Sequence, residues 1–406
     1  MRLLMLMPRA PYPADHGAAL RNFYLMKWLG SHHDVSVVAY GDPGNYKVKQ
    51  VLEGYVRDVH LVPPPRRSMI QRLTGMVTSR EPDLAKRLWS QPYVDVLRSL
   101  LARQMFDVVQ IEGLEMFRLW TTASDGRQGT GPIIVLDEHN AEYALQESAR
   151  RISLGQGKWG PALYSLIQAR RLRRYEREAC RIADGVVAVS KDDAAALAAL
   201  CPTLNPAIIP NGVDTTLYQR RRCETTGQRV LFIGKMDYRP NVDAVEWFCR
   251  AVWPLVRQER PDARFRIVGR DPTARVQALG QIPGVEVMGE VSDERPEFEQ
   301  ADLLVVPMRM GSGVRLKVLQ SMAMAVPLVS TSLGMSGVPA RPGVEYVRAD
   351  AAPDFARGVV QVLGDSRLRG LLGEAGRRLV CQEFDWRVIM PRLDILYNTL
   401  VEAREA

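Results

Sequence analysis

The fold of this 406-residue chain is best indicated by the stretch VVPMRMGSGVRLKVLQSMAMAVPLVST, Val305–Thr331. An apolar, β-branched run ends at Pro307, a loop with Gly311 and Gly313 follows, and a helical pattern begins near Val314. Glycine lets backbone N–H groups approach a ligand closely, and the amino end of a helix favours an anion. The stretch therefore predicts a strand, a phosphate-binding loop and a helix, with a diphosphate as the natural ligand.

Two cations follow this loop, but they do not identify a reaction. Arg315 and Lys317 add positive charge beside the glycines, although a solvated helix face also carries such side chains. The loop is neither a dinucleotide fingerprint nor a Walker A loop, because neither G-x-G-x-x-G nor G-x-x-x-x-G-K-[ST] occurs in it. The pattern indicates phosphate binding and nothing more.

On both sides of this stretch, short apolar runs alternate with longer helical segments, which is typical of parallel α/β architecture. A first series extends from RLLMLMP at Arg2 to AIIPNG at Ala207, and a second begins with RVLFIGKMD at Arg229. We expect an α/β fold with two Rossmann-like domains whose parallel sheets face a central cleft. Ligands of such sheets bind at the carboxyl ends of strands.

The domain boundaries are placed from composition. The polar, basic stretch TTLYQRRRCETTGQR, residues 215–229, has no apolar periodicity and is interpreted as the interdomain linker. The predicted domains are residues 1–215 and 228–384. Residues 385–406 are interpreted as a closing amphipathic helix that packs back across the domains.

Composition also excludes several classes of protein. With 46% apolar and 25% charged residues, the chain is neither a disordered polyelectrolyte nor a membrane bundle. Its five cysteines are odd in number and never spaced as C-x-x-C, which argues against a disulfide framework or a structural zinc site. The apolar start stops at Pro8, too early for a signal peptide, and no segment approaches the roughly 20 apolar residues of a membrane-spanning helix. We expect a cytoplasmic protein that is soluble or peripheral at the inner face of the plasma membrane.

The net charge of +8 is concentrated in one segment. Residues 147–181 hold nine basic and three acidic side chains. An anionic membrane surface or a phosphate-bearing acceptor fits such a segment, and a solvated helix face explains it equally well. Nucleic acid is not an expected partner, because aromatic stacking residues are not interleaved there apart from Trp159, Tyr164 and Tyr175.

A second candidate site is LFIGKMDYRPNVDA, Leu231–Ala244. A strand ends at Gly234, and Lys235 and Arg239 follow in the loop that opens the first helix of the second series. Two cations at the carboxyl end of a strand can stabilise charge that develops on a leaving diphosphate. Ordinary exposed cations of a surface loop are the alternative.

Two more candidates lie in the first series. In LDEHNAEY, His139 follows a strand, where a histidine can hydrogen-bond a sugar hydroxyl or act as an acid or base near neutral pH. A structural histidine is the alternative, and no His or Cys cluster accompanies it, so no metal site is predicted. In PYPADHGAALRN, Gly17 allows a tight turn, and His16 and Arg21 are predicted to face a charged acceptor. An ordinary proline-rich loop is the other interpretation of that turn.

Taken in order, these segments resemble the retaining glycosyltransferases of family four, which have the GT-B fold, and especially bacterial sugar transferases of exopolysaccharide systems. The similarity covers nearly the whole chain and includes ADGVVAVS, IIPNGVD, RIVGRDP and GVEVMGEV. It implies that the second domain binds a nucleotide-diphosphate sugar and that the first binds a glycan, lipid-linked or polysaccharide precursor. It also implies sugar transfer with retention, through an oxocarbenium-like transition state, with no metal and no cofactor besides the donor substrate.

The resemblance also assigns residues. It implies His139 and Lys235 as catalytic residues, one contacting the donor sugar and the other the phosphates. Gly17 would approach the diphosphate, and Met288–Val291 would line the base pocket. The implied donor-binding positions are Gly17, Gly234, Arg239, Gly289, Val291, Gly311, Ser312, Gly313 and Gln320.

Four positions depart from the family pattern, and one of them is Arg239, which lies one turn away from where many relatives place the second phosphate-binding cation. The family has two glutamates spaced E-x7-E, which contact the donor sugar and the ribose, whereas Ser312 and Gln320 stand there in this chain. A neutral amide binds a ribose hydroxyl more weakly than a carboxylate does. Ala325 stands where glycine is usual. Ser312 and Gln320 favour one alternative, a catalytically silent protein that binds nucleotide sugars. A second alternative is a nucleotide-sugar epimerase of the same fold, which would use carboxylate and histidine groups around the donor.

Overall fold

The chain forms two α/β units. One unit contains Met1–Pro210 together with Met390–Ala406, and the other contains Asn211–Ile389. The computed structural model describes residues 1–14, 17–66, 81–124, 131–155, 157, 159–220, 226–311 and 313–405. His16 and Ser312 therefore lie outside the described residues.

The first unit is built on a sheet of seven parallel strands, in the order β3-β2-β1-β4-β5-β6-β7. Its central strands are buried along their length, as parallel strands covered by helices on both faces must be. The strands are β1 (Arg2–Met7), β2 (Asp34–Tyr40), β3 (Asp58–Val62), β4 (Val108–Glu112), β5 (Ile133–Glu138), β6 (Gly185–Ala188) and β7 (Ala207–Ile208).

The helices of this unit connect successive strands and cover the sheet. They bury their apolar stripes, such as Leu25, Met26 and Leu29 of the first helix. Their bounds are α1 (Gly17–His32), α2 (Tyr46–Glu53), α3 (Asp83–Arg87), α4 (Gln91–Arg103), α5 (Leu114–Ala123), α6 (Glu142–Gly155), α7 (Trp159–Ile182) and α8 (Lys191–Leu200).

The second unit repeats this plan with six parallel strands, in the order β10-β9-β8-β11-β12-β13. The strands are β8 (Arg229–Ile233), β9 (Arg264–Val268), β10 (Val285–Gly289), β11 (Leu303–Val306), β12 (Leu328–Ser330) and β13 (Val347–Arg348). The helices are α9 (Arg239–Trp247), α10 (Trp253–Glu259), α11 (Ala274–Gln277), α12 (Arg295–Gln300), α13 (Leu316–Ala323), α14 (Ala352–Gly364), α15 (Ser366–Glu383) and α16 (Trp386–Ile389), with a π-helical turn (Phe248–Val252) joining α9 to α10. The α/β fold with two Rossmann-like units is thus confirmed.

Both sheets contain a point where the strand order reverses. In the first unit the chain moves outward from β1 through β2 to β3, and then returns to place β4 on the other side of β1. In the second unit the same reversal lies between β8 and β11. Ligands of open parallel sheets bind outside the carboxyl ends of the strands at such a point. The candidate residues are therefore sought at the ends of β1, β4 and β5, and of β8 and β11.

The boundary between the units falls at Pro210, five residues before the predicted position. The predicted linker begins within the second unit, because Thr215 is buried and donates a hydrogen bond to Asp385. The Arg220 guanidinium donates to the backbone oxygen of Ala301 at 3.0 Å. Residues 221–225 of that stretch lie outside the described residues.

The last segment of the chain is divided between the units. The short helix α16 belongs to the second unit, and α17 (Pro391–Glu405) belongs to the first. There the Tyr397 hydroxyl donates to the Gln110 side chain at 2.9 Å, and the Trp28 indole donates to the Asp394 carboxylate at 2.8 Å. The predicted closing helix is thus two helices, and the longer one completes the N-terminal unit.

Neither a membrane span nor a disulfide is found in the described part of the chain. None of its helices combines the length and the apolar character needed to cross a bilayer. The four cysteines in that part are all free: Cys180, Cys201, Cys249 and Cys381.

Candidate active site

The first cluster lies at the carboxyl ends of β4 and β5. Glu112 is the last residue of β4 and pairs in register with Asp137 of the adjacent parallel strand β5. His139 follows the end of β5. Because parallel neighbours end at the same edge of the sheet, Glu112 meets the distant pair Asp137 and His139 beside the first switch point.

His139 is oriented by a buried carboxylate. Its Nε2 lies 3.3 Å from Oε2 of Glu112, and its side chain keeps 20% of its surface exposed while that of Glu112 is fully buried. Burial alone lowers the pKa of His139, but the hydrogen bond to Glu112 and the negative charge of Asp137 outweigh it, so the pKa lies above the usual histidine value. The ring is thus held by Nε2, and no described residue hydrogen-bonds to Nδ1.

Arg21 occupies a different place from the acceptor-facing one expected of it. Only 2% of its surface is exposed, and its guanidinium binds both carboxylate oxygens of Asp137, with the shortest N···O distance at 2.7 Å. It also donates to the backbone oxygens of Ile209 and Pro210, at 2.9 and 3.2 Å. The acceptor-side interpretation of Arg21 is therefore wrong, because a guanidinium buried in these bonds cannot meet an acceptor.

Glu112, Asp137 and His139 also have the composition of a metal site. They offer three ligand atoms that all lie within 4.8 Å of one another. However, the carboxylate of Asp137 already has the cation of Arg21 against both of its oxygens. The cluster is therefore a hydrogen-bond network in which the cation of Arg21 compensates the charge of Asp137.

A third buried carboxyl group follows Asp137 at the end of β5. Glu138 is fully buried, and neither of its carboxylate oxygens has a hydrogen-bond partner among the described residues. Burial first, and then the charges of Glu176 and Glu142, raise the pKa of Glu138 well above its ordinary value.

The predicted turn after β1 is only partly described. Gly17 is the first residue of α1, so its backbone stands at the amino end of that helix, at the carboxyl end of β1. This position agrees with the expected approach to an anion. His16 belongs to the residues outside the description.

The second cluster is the glycine loop between β11 and α13. Gly311 and Gly313 have φ angles of +102° and +78°, which a residue with a Cβ rarely adopts. Arg315 caps α13, and its guanidinium donates to the backbone oxygen of Gly313 at 3.1 Å. Its other terminal nitrogen is buried without a hydrogen-bond partner among the described residues, 3.6 Å from where a Cβ on Gly311 would lie. An orphaned guanidinium nitrogen beside a glycine loop is a place for an anion.

Ala325, which follows this helix, explains why glycine is usual at its position. Its φ angle is +52°, in the left-handed region that glycine adopts freely and alanine does not. The departure from the family pattern therefore affects backbone strain rather than ligand contact.

The loop that follows β8 lies against a second cation of α13, the side chain of Lys317. Gly234 follows β8, and a Cβ on it would lie 2.8 Å from Nζ of Lys317 on α13. Lys235, by contrast, is exposed, and its Nζ pairs with Asp237 at 2.9 Å and with Asp271 at 3.6 Å. Arg239 is exposed at the start of α9. The structure thus places Lys317, rather than Lys235, against the end of β8.

The expected ribose and base contacts lie in the same unit. Gln320 is buried on α13, and its amide nitrogen donates to the Tyr218 hydroxyl at 2.7 Å. The carboxyl group of Glu294 is close by: burial raises its pKa, while Lys317 and the Gln320 amide oppose that rise. Gly289 ends β10 with a φ of +72°, and Val291 follows, partly exposed.

Two family models match the chain. The model described as glycosyltransferase family 4 matches residues 16–217, and the model described as glycosyl transferases group 1 matches residues 227–365. The chain belongs to the glycosyltransferase family that these two models describe. The predicted resemblance is therefore confirmed, and each model falls almost entirely within one structural unit.

Relatives in other organisms agree with this assignment. An uncharacterized 44.6 kDa protein in the cps region of Klebsiella pneumoniae is 23% identical over 372 residues, which cover 88% of this chain and 90% of that protein. Sucrose-phosphate synthase from Thermosynechococcus elongatus superposes with a TM-score of 0.73 at 16% identity, over 99% of this chain and all of that chain. Anabaena HepE in complex with UDP and glucose gives a TM-score of 0.66 at 14% identity, over 98% and 99% of the two chains. These structural likenesses confirm the GT-B fold.

Several residues of both clusters were not predicted from the sequence. Glu112 ends the run FDVVQIE, so its place at a strand end was a usable signal. Lys317 was predicted only to add positive charge beside the glycine loop, because a helical pattern does not show that its amine points at Gly234. Glu294, on the loop after β10, carried no motif at all.

Proposed function

We propose that this glycosyltransferase moves a sugar from a nucleotide-diphosphate sugar to a hydroxyl of a glycan, lipid-linked or polysaccharide precursor, with retention of anomeric configuration. The observation that carries the donor class is the anion site at the carboxyl end of β11. There, two glycines with positive φ and the buried, unpartnered nitrogen of Arg315 surround the amino end of α13. The HepE complex contains UDP and glucose, which are the two components of a nucleotide-diphosphate sugar.

The roles of the residues follow from this proposal. The cations and the helix end at the glycine loop stabilise the negative charge that develops on the leaving diphosphate. His139, fixed by Glu112 through Nε2, binds a hydroxyl of the transferred sugar through Nδ1. The acceptor hydroxyl attacks on the face from which the diphosphate leaves, through an oxocarbenium-like transition state.

The proposed reaction needs neither a metal nor a cofactor besides the donor. Metal ions in other sugar transfers neutralise the leaving diphosphate, and here Arg315 and the amino end of α13 supply positive charge at that point. In the first cluster, Arg21 already neutralises Asp137. Activity is accordingly expected to survive treatment with a chelator.

Thermal unfolding with added nucleotides tests the donor class. UDP, GDP, dTDP, CMP and NAD are added singly to the full chain, with NAD as the control for nonspecific dinucleotide binding. A ligand that binds only the folded state at 100 times its dissociation constant adds about 2.7 kcal/mol to stability, so one nucleoside diphosphate is expected to raise the midpoint by several degrees. The matching sugar nucleotide is then supplied with and without acceptor hydroxyls.

Each outcome of this test separates the alternatives. Transfer that requires an acceptor supports the proposal, and inversion of the anomeric centre would contradict the retaining course. Conversion of the sugar nucleotide without an acceptor would make the chain an epimerase. Binding without turnover on any acceptor would make it a silent binding protein, and no shift with any nucleoside diphosphate would remove the donor site.

We also propose that α7 binds an anionic membrane surface. Trp159, Leu163 and Ile167 are 76%, 60% and 39% exposed, and their i, i+4 spacing puts them on one face of the helix. Arginines 170, 171, 173 and 174 follow on the same helix, three of them exposed. Exposed apolar side chains next to clustered arginines are the two components of interfacial binding.

Vesicle binding tests this surface. The intact protein is expected to cosediment with vesicles that contain anionic lipid, less so at high salt, and not with neutral vesicles. Reversing the four arginines to glutamate should weaken binding at least about 100-fold, because each basic residue near an anionic surface contributes about 1 kcal/mol. The matched control reverses four exposed arginines of the second unit, Arg348, Arg357, Arg367 and Arg378. Equal vesicle binding by the two variants would show that α7 is a solvated helix and does not bind the membrane surface.

A further inference from the structure

Lys317 is a partly buried lysine whose amine is held in place by neutral groups. Its Nζ donates to the Asn241 side-chain oxygen at 3.1 Å and lies 3.8 Å from the centre of the Phe232 ring. Asn241 is itself oriented, because its amide nitrogen donates to the backbone oxygen of Lys235 at 2.9 Å. The amine is thus fixed against Gly234, at the carboxyl end of β8 and on the helix that follows the glycine loop.

The positive charge of this amine is poorly compensated by the charged groups around it. Burial is the main cause that lowers the pKa of Lys317 to about 7, and the neighbouring guanidinium of Arg315 lowers it further. Glu294, on the loop before α12, is the acidic group that opposes these effects, and burial raises its own pKa. Near pH 8 the amine of the unliganded protein is therefore mostly neutral. It nevertheless lies near Arg315, on the helix that follows the glycine loop of the proposed anion site.

Lys235 differs in every one of these respects. It is exposed, and its Nζ already pairs with Asp237 and Asp271 on the surface of its own loop. An exposed ion pair contributes little and competes with any ligand for the cation. Of these two lysines, Lys317 is the one whose amine is held in a fixed direction and whose positive charge is poorly compensated.

We propose that Lys317 binds a phosphate oxygen of the leaving diphosphate and takes up a proton from solvent when the donor binds. This inference rests on the proposed donor site. Gly234 is required because a side chain there would fill the space in front of the amine. The Asn241 side-chain oxygen accepts one hydrogen bond from the amine, so two N–H groups of the charged form remain for phosphate oxygens.

Calorimetry at pH 8 tests the inference. UDP, GDP, dTDP and ADP serve as probes, and the one that binds wild type best is titrated in buffers with different ionisation enthalpies. Wild type should take up close to one proton at pH 8 and much less at pH 6, where the amine is already charged. In Lys317→Met the affinity should fall about 10- to 100-fold and the lysine-dependent proton uptake should vanish. Lys235→Met tests the other lysine near β8. Lys191→Met, an exposed lysine at the start of α8 with no role in the proposed site, is the control and should keep both within about threefold.

The outcomes separate this inference from the donor proposal. Wild-type affinity in Lys317→Met, equal proton uptake in that variant, or loss of affinity only in Lys235→Met would overturn the role of Lys317 and leave the donor site intact. Failure of wild type to bind any of the four diphosphates would overturn both. Folding is checked by unliganded thermal unfolding at pH 8, where Lys317→Met should be at least as stable as wild type, because methionine suits the apolar surface of Phe232.

Discussion

In the His139→Ala variant, sugar transfer is expected to fall by about two to four orders of magnitude, while the free energy of unfolding drops by only about 1 kcal/mol. The imidazole is the group of the first cluster that is both oriented and partly exposed, with Nε2 fixed by Glu112 at 3.3 Å. Its loss therefore removes the contact to the donor sugar without removing a buried apolar group. Initial rates at saturating donor, compared with urea unfolding of the same sample, measure the two effects.

The control is another histidine of the same unit. His60 on β3 pairs with Asp58 at 3.2 Å, and His60→Ala should leave the rates unchanged. A pH profile adds a second check. With Nε2–H donating to the Glu112 carboxylate, Nδ1 can donate to a sugar oxygen only in the imidazolium form, and the raised pKa of His139 extends that form to higher pH. Transfer should decline as pH rises through this pKa, and Glu112→Gln should move the decline to lower pH. Full turnover in His139→Ala would remove the residue from the reaction.

The architecture was accessible from sequence because parallel sheets leave a strong pattern. Strands covered on both faces must be continuously apolar, and β1 is such a run, with Leu3–Met7 fully buried. The restart of that pattern at Arg229 coincides with β8, the first strand along the chain of the second sheet. The boundary itself was misplaced because polarity alone does not distinguish a linker from a surface segment. Thr215 and Tyr218 are both bonded to side chains of the second unit.

Side-chain direction accounts for what the sequence left open in the candidate site. The glycine loop was found because positive φ demands glycine, a requirement written in the residue type itself. Arg21 was misplaced because its partner Asp137 lies 116 residues away, and nothing local distinguishes a buried arginine from an exposed one. Lys317 poses the same problem, since Asn241 precedes it by 76 residues. Backbone requirements were therefore predictable, whereas long-range pairings of charged side chains were not.

Arg21→Met is expected to destabilise the chain by about 3 to 5 kcal/mol, the largest stability effect of any substitution considered. The loss exceeds the value of the ion pair, because Asp137 is left buried without its cation beside the buried Glu112. The backbone oxygens of Ile209 and Pro210 also lose a donor. Urea unfolding near neutral pH measures the change from the shift of the midpoint at constant slope.

Two comparison variants show whether burial is the cause. Arg57 pairs with Asp34 at the same distance of 2.7 Å, but both side chains are about half exposed, so Arg57→Met should cost less than about 1 kcal/mol. In the double variant Arg21→Met and Asp137→Leu, removal of the stranded carboxylate should recover much of the stability. Similar losses for Arg21→Met and Arg57→Met would contradict the buried-pair argument. A double variant no more stable than Arg21→Met would instead place the cost in the two backbone oxygens, because these lose their donor in both.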